Sequence, residues 1–185
     1  MKCVVKLGGS LIKNNQIIKC IQIIEKWKAQ TIIVPGGGEF ADTVRISQSY
    51  WGFNDSIAHR MAVLAMQQNA LLLHGLSPST PIMDAISHLD KHVPVRIWSP
   101  QLSELDKAGI PHSWDITSDS LAGWLANIWQ ADFLILVKSA VIEHSLALAE
   151  LQDLGIVDAA FHRYVGESNL QVKIINHAHL AHVHD

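Results

Sequence analysis

Cys3-Val4-Val5-Lys6-Leu7-Gly8-Gly9-Ser10 and Val34-Pro35-Gly36-Gly37-Gly38 are the two stretches on which the fold turns. Each is an apolar run that ends in glycines. A strand leading into glycine can turn sharply, and it leaves amide hydrogens facing outward with no side chain in the way. Between the two runs, Ile17, Ile18, Ile21, Ile24 and Trp27 recur at helical spacing, with Lys19, Glu25, Lys26 and Lys28 among them. Strand, helix and strand in so short a span predict a βαβ unit with parallel strands and a right-handed crossover. Ligands of such sheets gather at the carboxyl ends of the strands, the edge on which both glycine runs fall.

Further along, Glu39 to Ser47 reads as a helix beginning at the glycines. A longer helix, with Asp55 and Ser56 as its candidate caps, carries Ile57, Met61, Leu64, Ala65 and Gln68. Ser77 to Pro81 is a turn, Ile82 to Leu89 a candidate short helix, and Val93 to Trp98 a strand whose Pro94 suggests a place near a sheet edge. Asp115 to Ser120 lead into an apolar helix, Leu121 to Ala126, whose small residues permit close packing. Phe133 to Val137 is an interior strand. Helices near Ser145 to Leu154 and Val157 to Tyr164, and a strand at Leu170 to Ile175, complete the reading. No repeat or linker interrupts it, so the expectation is one domain over residues 1–185, a three-layer αβα sandwich with a mainly parallel central sheet.

Composition narrows the classes. A chain of 185 residues supports one full core, and 49% hydrophobic against 17% charged residues excludes a disordered polymer. A net charge of −3 advertises no nucleic-acid surface. No stretch approaches the roughly 20 apolar residues of a membrane span, and Lys6 with the glycines breaks the opening run too early for a signal peptide. Cys3 and Cys20 lack metal-ligand spacing and read as free, buried thiols. A cytoplasmic location without nucleic-acid or membrane partners is the expectation.

Three charged residues invite a chemical reading. An ammonium at Lys6, inside an apolar run, needs a partner if buried; a phosphate is one, and a chance lysine before a tight turn is the alternative. The run is not a Walker A loop, which ends in Gly-Lys-Ser/Thr. Asp119 is either a helix cap, a role that Asp115, Thr117 or Ser118 could equally fill, or a carboxylate that pairs with lysines and fixes them against a phosphate. Lys138, after the strand Phe133 to Val137, is a candidate for such a lysine or a solvated strand end. Near the C-terminus, His177, His179, His182 and His184 suggest adventitious metal binding if on a strand, or a frayed tail; no metal site is assigned to them.

Together these elements resemble the amino acid kinase superfamily. Its members open with a strand ending in Lys-x-Gly-Gly-Ser, matched at Lys6 to Ser10, and have a second strand ending in Gly-Gly-Gly, matched at Gly36 to Gly38. Thr117 to Ala126 is similar to the family's helix opening with a small residue and aspartate, and Val137-Lys138-Ser139 to its Leu-Lys-Ala-Thr segment. Within the superfamily, Val34 to Arg45, His59 to Ala62 and Trp114 to Ser120 resemble the branch that phosphorylates an aminomethylfuran phosphate in methanofuran assembly.

The resemblance implies phosphoryl transfer from ATP with Mg2+ to a small-molecule acceptor, itself a phosphate ester in that branch, and a homodimer. It implies Lys6, Asp119 and Lys138 as the transfer residues. Gly8, Gly9, Ser10, Gly36, Gly37, Gly38 and Ser118 fall at phosphate and nucleotide positions. Glu39, Phe40, Arg45 and His59 fall on the acceptor side, with Arg45 a bidentate phosphate clamp or a solvated helix arginine, and His59 a pocket wall or a structural histidine. Where relatives continue with Asp-Val-Asp-Gly-Val-Tyr, this chain has Ser139-Ala140-Val141-Ile142-Glu143-His144, so the expected nucleotide part is shortened. The alternative expectation is a catalytically inactive metabolite-binding or assembly protein on the same fold.

Overall fold

The computed structural model describes residues 1–13, 15–88, 93–140, 147–166 and 169–183. Strand β1 (Lys2–Leu7) sends Cys3, Val5 and Leu7 into one hydrophobic layer and Val4 into the other. Strand β2 (Gln30–Pro35) splits in the same way, with Ile33 on one side and Ile32 and Val34 on the other. Alternation with both faces apolar is what a sheet covered on both sides requires. The connection between them carries α1 (Ser10–Lys13) and α2 (Ile17–Ile24), and β1 pairs with β2 in parallel, as the βαβ reading expected.

Helices α3 (Gly38–Trp51) and α4 (Asp55–Leu76) follow, then β3 (Ile82–Met83), β4 (Val95–Trp98), α5 (Leu102–Lys107), α6 (Ser118–Trp129) and β5 (Phe133–Lys138). The chain closes with α7 (Leu148–Asp153), α8 (Phe161–Val165) and β6 (Gln171–Asn176). The six-stranded sheet has the order β3-β4-β2-β1-β5-β6, and every pairing is parallel. Helices α1 and α2, with Leu180, cover one face; α5, α6 and α8 cover the other. Gly123 on α6 lets α8 in: a Cβ there would lie 3.1 Å from Tyr164 Cβ and 3.2 Å from Val165 Cγ1. No described helix is long and apolar enough to cross a membrane.

Several local expectations are corrected. Ile82 to Leu89 is not a helix: Ile82 and Met83 add an edge strand and Ile86–His88 form a 3-10 turn, while Leu89 lies outside the described residues. This places β4 one strand in from the edge, with Pro94 ahead of it lending its carbonyl to Thr31 N–H at 2.7 Å. Asn54, not Asp55 or Ser56, caps α4, its side chain accepting from the Ile57 N–H at 3.0 Å. The C-terminal histidines are neither strand nor frayed tail over the described span. His177–His182 form a 3-10 helix whose Leu180 is fully buried; His184 lies outside the described residues.

The two glycine runs pack against each other. A Cβ at Gly9 would sit 2.3 Å from Gly38 Cα, and one at Gly36 would sit 2.8 Å from Gly9 N, so backbone meets backbone with no room for a side chain. Gly38 also has φ +53°, in the left-handed region that glycine enters without strain. Asn69, buried on α4, donates its side-chain N–H to the Gly36 carbonyl at 2.6 Å and fixes the second turn to the helix behind it. Gly9→Ala is therefore expected to lower stability by about 1–3 kcal/mol through overpacking. Gly75→Ala, on α4 with nothing within 4 Å of the added methyl, should raise it by about 0.5–1 kcal/mol. Urea unfolding of the two variants checks the opposite signs.

Candidate functional site

Strand periodicity puts the charged groups together. Lys6 shares the face of Val4, and Lys138 shares the face of Leu134 and Leu136, so both lysines point to the layer that α6 occupies. Lys6 pairs in register with Leu136 on the neighbouring strand, which brings the two lysines to adjacent strands at the carboxyl edge. Asp119 descends between them from the first turn of α6. Its Oδ1 lies 2.7 Å from Lys6 Nζ and its Oδ2 lies 2.7 Å from Lys138 Nζ. Lys6 is 6% exposed, Asp119 5% and the Lys138 side chain 14%, so this three-charge cluster is largely buried and not a surface pair.

Burial alone would raise the Asp119 carboxyl, but the ammoniums of Lys6 and Lys138 outweigh it and hold the group below the usual carboxylate range. Burial is also the main influence on Lys138, helped by the like charge of Lys6, and together they bring its ammonium down to about 8 against the pull of Asp119. With both lysines charged, the cluster carries one positive charge more than it can neutralise. Buried unbalanced charge is costly, and an anion is what relieves it.

Next to the start of α6, between the glycine turns and helices α3 and α4, lies a cavity of about 270 Å³, which Lys6, Asp119 and Lys138 do not themselves line. Gly9, Ser10, Gly36, Gly37, Gly38 and Ser118 contribute to its wall. Their backbone amides are not equivalent. Gly8 N–H donates to the Val137 carbonyl at 3.1 Å and Gly36 N–H to that of Leu7 at 2.9 Å, so the expectation of outward-facing amides fails at these two glycines. The N–H groups of Gly9, Gly37 and Gly38 have no acceptor among the described residues.

The far wall holds Arg45 and His59. Arg45 is not simply solvated: its guanidinium stacks 3.7 Å from the Trp114 ring centroid, and Trp114 Nε1 donates to Gln48 Oε1 at 2.6 Å. His59 is 3% exposed, with its ring stacked 5.2 Å from that of His112. His59 Nδ1 faces the Ser113 carbonyl at 3.3 Å, and only a donor can do so, which leaves Nε2 as the acceptor of the neutral ring. Burial is the chief reason that its imidazolium is held below the usual range. Nε2 has no partner among the described residues. Glu39 and Phe40 do not join this wall: Phe40 is exposed on α3, and Glu39 lies on the surface 3.8 Å from Lys13 Nζ.

Three residues that sequence reasoning passed over also shape the site. Lys13 reaches the cavity from α1 and pairs with Asp42 at 3.2 Å. Asn176, at the end of β6, donates to the carbonyls of Ser139 at 3.0 Å and Ala140 at 2.8 Å, pinning the chain just beyond Lys138. Asp158 takes the place at the start of α6 that was sought among Asp115, Thr117, Ser118 and Asp119. Its Oδ2 accepts from Thr117 N–H at 2.8 Å, Thr117 Oγ1 at 2.8 Å and Ser120 N–H at 3.0 Å. The Ser10 and Ser139 hydroxyls meet at 2.8 Å; residues 141–146, where the family's acidic segment would fall, lie outside the described span.

Comparison with known proteins converges on one family. The chain is 28% identical over 130 residues to the (5-(aminomethyl)furan-3-yl)methyl phosphate kinase of Methanocaldococcus jannaschii, an alignment that spans 68% of this chain and 60% of that protein's length. The crystal structure of uridylate kinase from Archaeoglobus fulgidus superposes with a TM-score of 0.71 at 21% identity, covering 95% of this chain and 91% of that one. UMP kinase from Ureaplasma parvum gives a TM-score of 0.65 at 21% identity, covering 95% of this chain and 89% of that one. At these identities the structures testify to the fold alone. The amino acid kinase family profile matches residues 1–140, and with that match the chain belongs to the amino acid kinase family.

Proposed function

We propose that this protein is an ATP-dependent kinase of a small anionic metabolite. The observation that carries the reading is the Lys6–Asp119–Lys138 cluster, buried at the carboxyl edge of a parallel sheet with an uncompensated positive charge beside a glycine-walled cavity. Phosphoryl transfer asks the protein chiefly for alignment and charge neutralisation. Lys6 draws on the transferring phosphoryl group, Asp119 keeps the two ammoniums from diverging, and Lys138 serves the nucleotide side. The amides of Gly9, Gly37 and Gly38 add donors that need no side-chain ordering. The residues fit a nucleotide phosphate chain better than a protein-held metal: Asp119 is committed to both lysines, so Mg2+ would arrive on the phosphates and supply further charge neutralisation there.

The acceptor lies in the cavity in this reading, and a phosphate ester is its best description. Arg45, stacked on Trp114, is pre-oriented to fork onto a phosphate, and His59 Nε2 offers an acceptor to a hydroxyl or ammonium hydrogen. The aminomethylfuran phosphate named for the Methanocaldococcus relative carries both a phosphate and an amine, and it is our first candidate. The product would be a diphosphate. Self-association belongs to the same proposal. Ile46, Tyr50 and Trp51 on α3 and Ile57, Leu64 and Leu71 on α4 are exposed on the outer side of the helices that wall the cavity, Trp51 at 75%. A second copy of the chain is the occupant we assign to that face. A cytoplasmic setting accords with ATP use.

The direct test is ADP release with ATP–Mg2+ and a panel of acceptors containing aminomethylfuran phosphate, UMP, aspartate and acetylglutamate. No release with any of them, together with no nucleotide binding by calorimetry, would sink the kinase reading; acceptor binding without turnover would favour the inactive binding protein. Lys6→Met is expected to cut turnover by roughly 100-fold or more while circular dichroism still reports a folded chain.

Titration of Lys138 gives the pH dependence its sign. Below about 8 its ammonium is charged and attracts phosphate; above that it is neutral, and the attraction weakens. ATP affinity should fall as pH rises through this range, and binding near pH 8.5 should take up a proton, visible as buffer-dependent enthalpy in calorimetry. Equilibrium sedimentation is expected to find a dimer, and Tyr50→Glu with Leu64→Glu should yield a monomer.

A further inference from the structure

Asp119 occupies the second position of α6, so its placement between two lysines is only as firm as that helix's first turn. The turn does not hold itself. Thr117, at the N-cap, makes no side-chain cap bond to its own helix. Its N–H and its hydroxyl instead donate to Asp158 Oδ2, which also takes the Ser120 N–H, while Asp158 Oδ1 accepts from the Ser120 hydroxyl. The residues clamped, Thr117 and Ser120, bracket Asp119 on both sides. The loop that offers Asp158 is itself anchored. Ala160 N–H donates to the Asp115 carbonyl at 2.9 Å, Gln152 Nε2 donates to the Ala159 carbonyl at 2.7 Å, and Phe161 next to it is fully buried.

We infer that Asp158 is a positioning residue of the transfer centre, holding the first turn of α6 so that Asp119 stays between Lys6 and Lys138, while its own carboxylate, bonded to Thr117 and Ser120, acts on Lys138 only from a distance. Its function in turnover rests on the kinase reading given above; the electrostatic link does not. The charged groups that act on Lys138 on β5 are Lys6 from β1, Asp119 from α6 and, most weakly, Asp158 from the loop before α8. Asp158 pulls on the Lys138 proton in the same sense as Asp119, and both oppose burial and Lys6. A carboxylate at this helix end also occupies the place where a phosphate would otherwise be drawn by the α6 amides. Phosphate recognition is thereby left to the lysines and the glycine turns. The last quarter of the chain, outside the 1–140 match to the family, thus has a fixed part in the centre.

Asp158→Asn removes the charge and keeps an oxygen at the helix end; Asp158→Ser is a second charge-free variant should the first not fold. Thr117→Val removes one donor and leaves the charge. Competitive acetylation of lysines across the alkaline range, read by mass spectrometry, follows Lys138 without any turnover. The Lys138 midpoint is expected to fall by about half a pH unit or more in the charge-free variants and to stay in Thr117→Val. In the ADP-release assay, the charge-free variants should lose roughly tenfold or more in kcat with little change in KM for the acceptor. An unmoved midpoint in a folded charge-free variant overturns the inference and leaves the kinase reading untouched. A shifted midpoint in a protein that never releases ADP supports the electrostatic link and overturns the kinase reading instead.

Discussion

One carboxylate shared by a buried lysine and a partly buried one is the constraint to which the rest of the structure answers. A lone ammonium in the β1 run would be untenable inside the sheet, and a second from β5 would double the difficulty. Asp119 reconciles them only because three independent elements meet at one point. Adjacent parallel strands deliver the lysines from the same face, and the amino end of α6 delivers the acid. The packing of α6 follows from the same need. Leu121, Ala122, Leu125 and Ala126 seat it deep in the core layer, and Gly123 lets α8 close over it. A helix resting on the surface could not carry a carboxylate to that depth.

The cluster also divides the carboxyl edge into two sides. Toward α3 and α4 the wall is built from glycine backbone, a stacked arginine and a neutral histidine, a surface of modest charge with directed hydrogen-bonding groups. Toward β6 the edge is organised by Asn176, which holds the chain leaving Lys138, and by the paired hydroxyls of Ser10 and Ser139. Lys6 and Asp119 stand on the line between. A reaction that moves a charged group from one side to the other would cross that line, and the buried charges are concentrated there.

Much of this was legible because short-range pattern governs it. Alternating burial in β1, β2 and β5 and the glycines at their ends follow from local sequence, and so does the face on which Lys6 and Lys138 lie. The features that escaped are long-range. Asp158 is far in sequence from the helix it caps, and four acidic or hydroxyl residues beside that helix were more obvious candidates. Asn69 reaching the Gly36 carbonyl looks, in sequence, like one more polar residue on a helix. The two-residue strand at Ile82 and Met83 exists through its neighbour β4, and it is too short for an alternating pattern to mark it. The glycine runs offer free amides only in part. Some of their amides bond to adjacent strands, because turns that close upon strand ends continue the ladder.

The contact between Gly9 and Gly38 has an evolutionary consequence. Gly9 excludes a side chain because the Gly38 backbone lies 2.3 Å from where its Cβ would be, and Gly38 because its φ is +53°, so neither can drift and be rescued by a side-chain change at the other. The glycine signature would therefore persist by packing alone, whether or not an anion is bound. The lysines are different: with no anionic ligand to bind, selection for stability would favour losing one of them. Retention of both Lys6 and Lys138 in a lineage is accordingly a better record of continued anion binding than the glycines that first draw the eye.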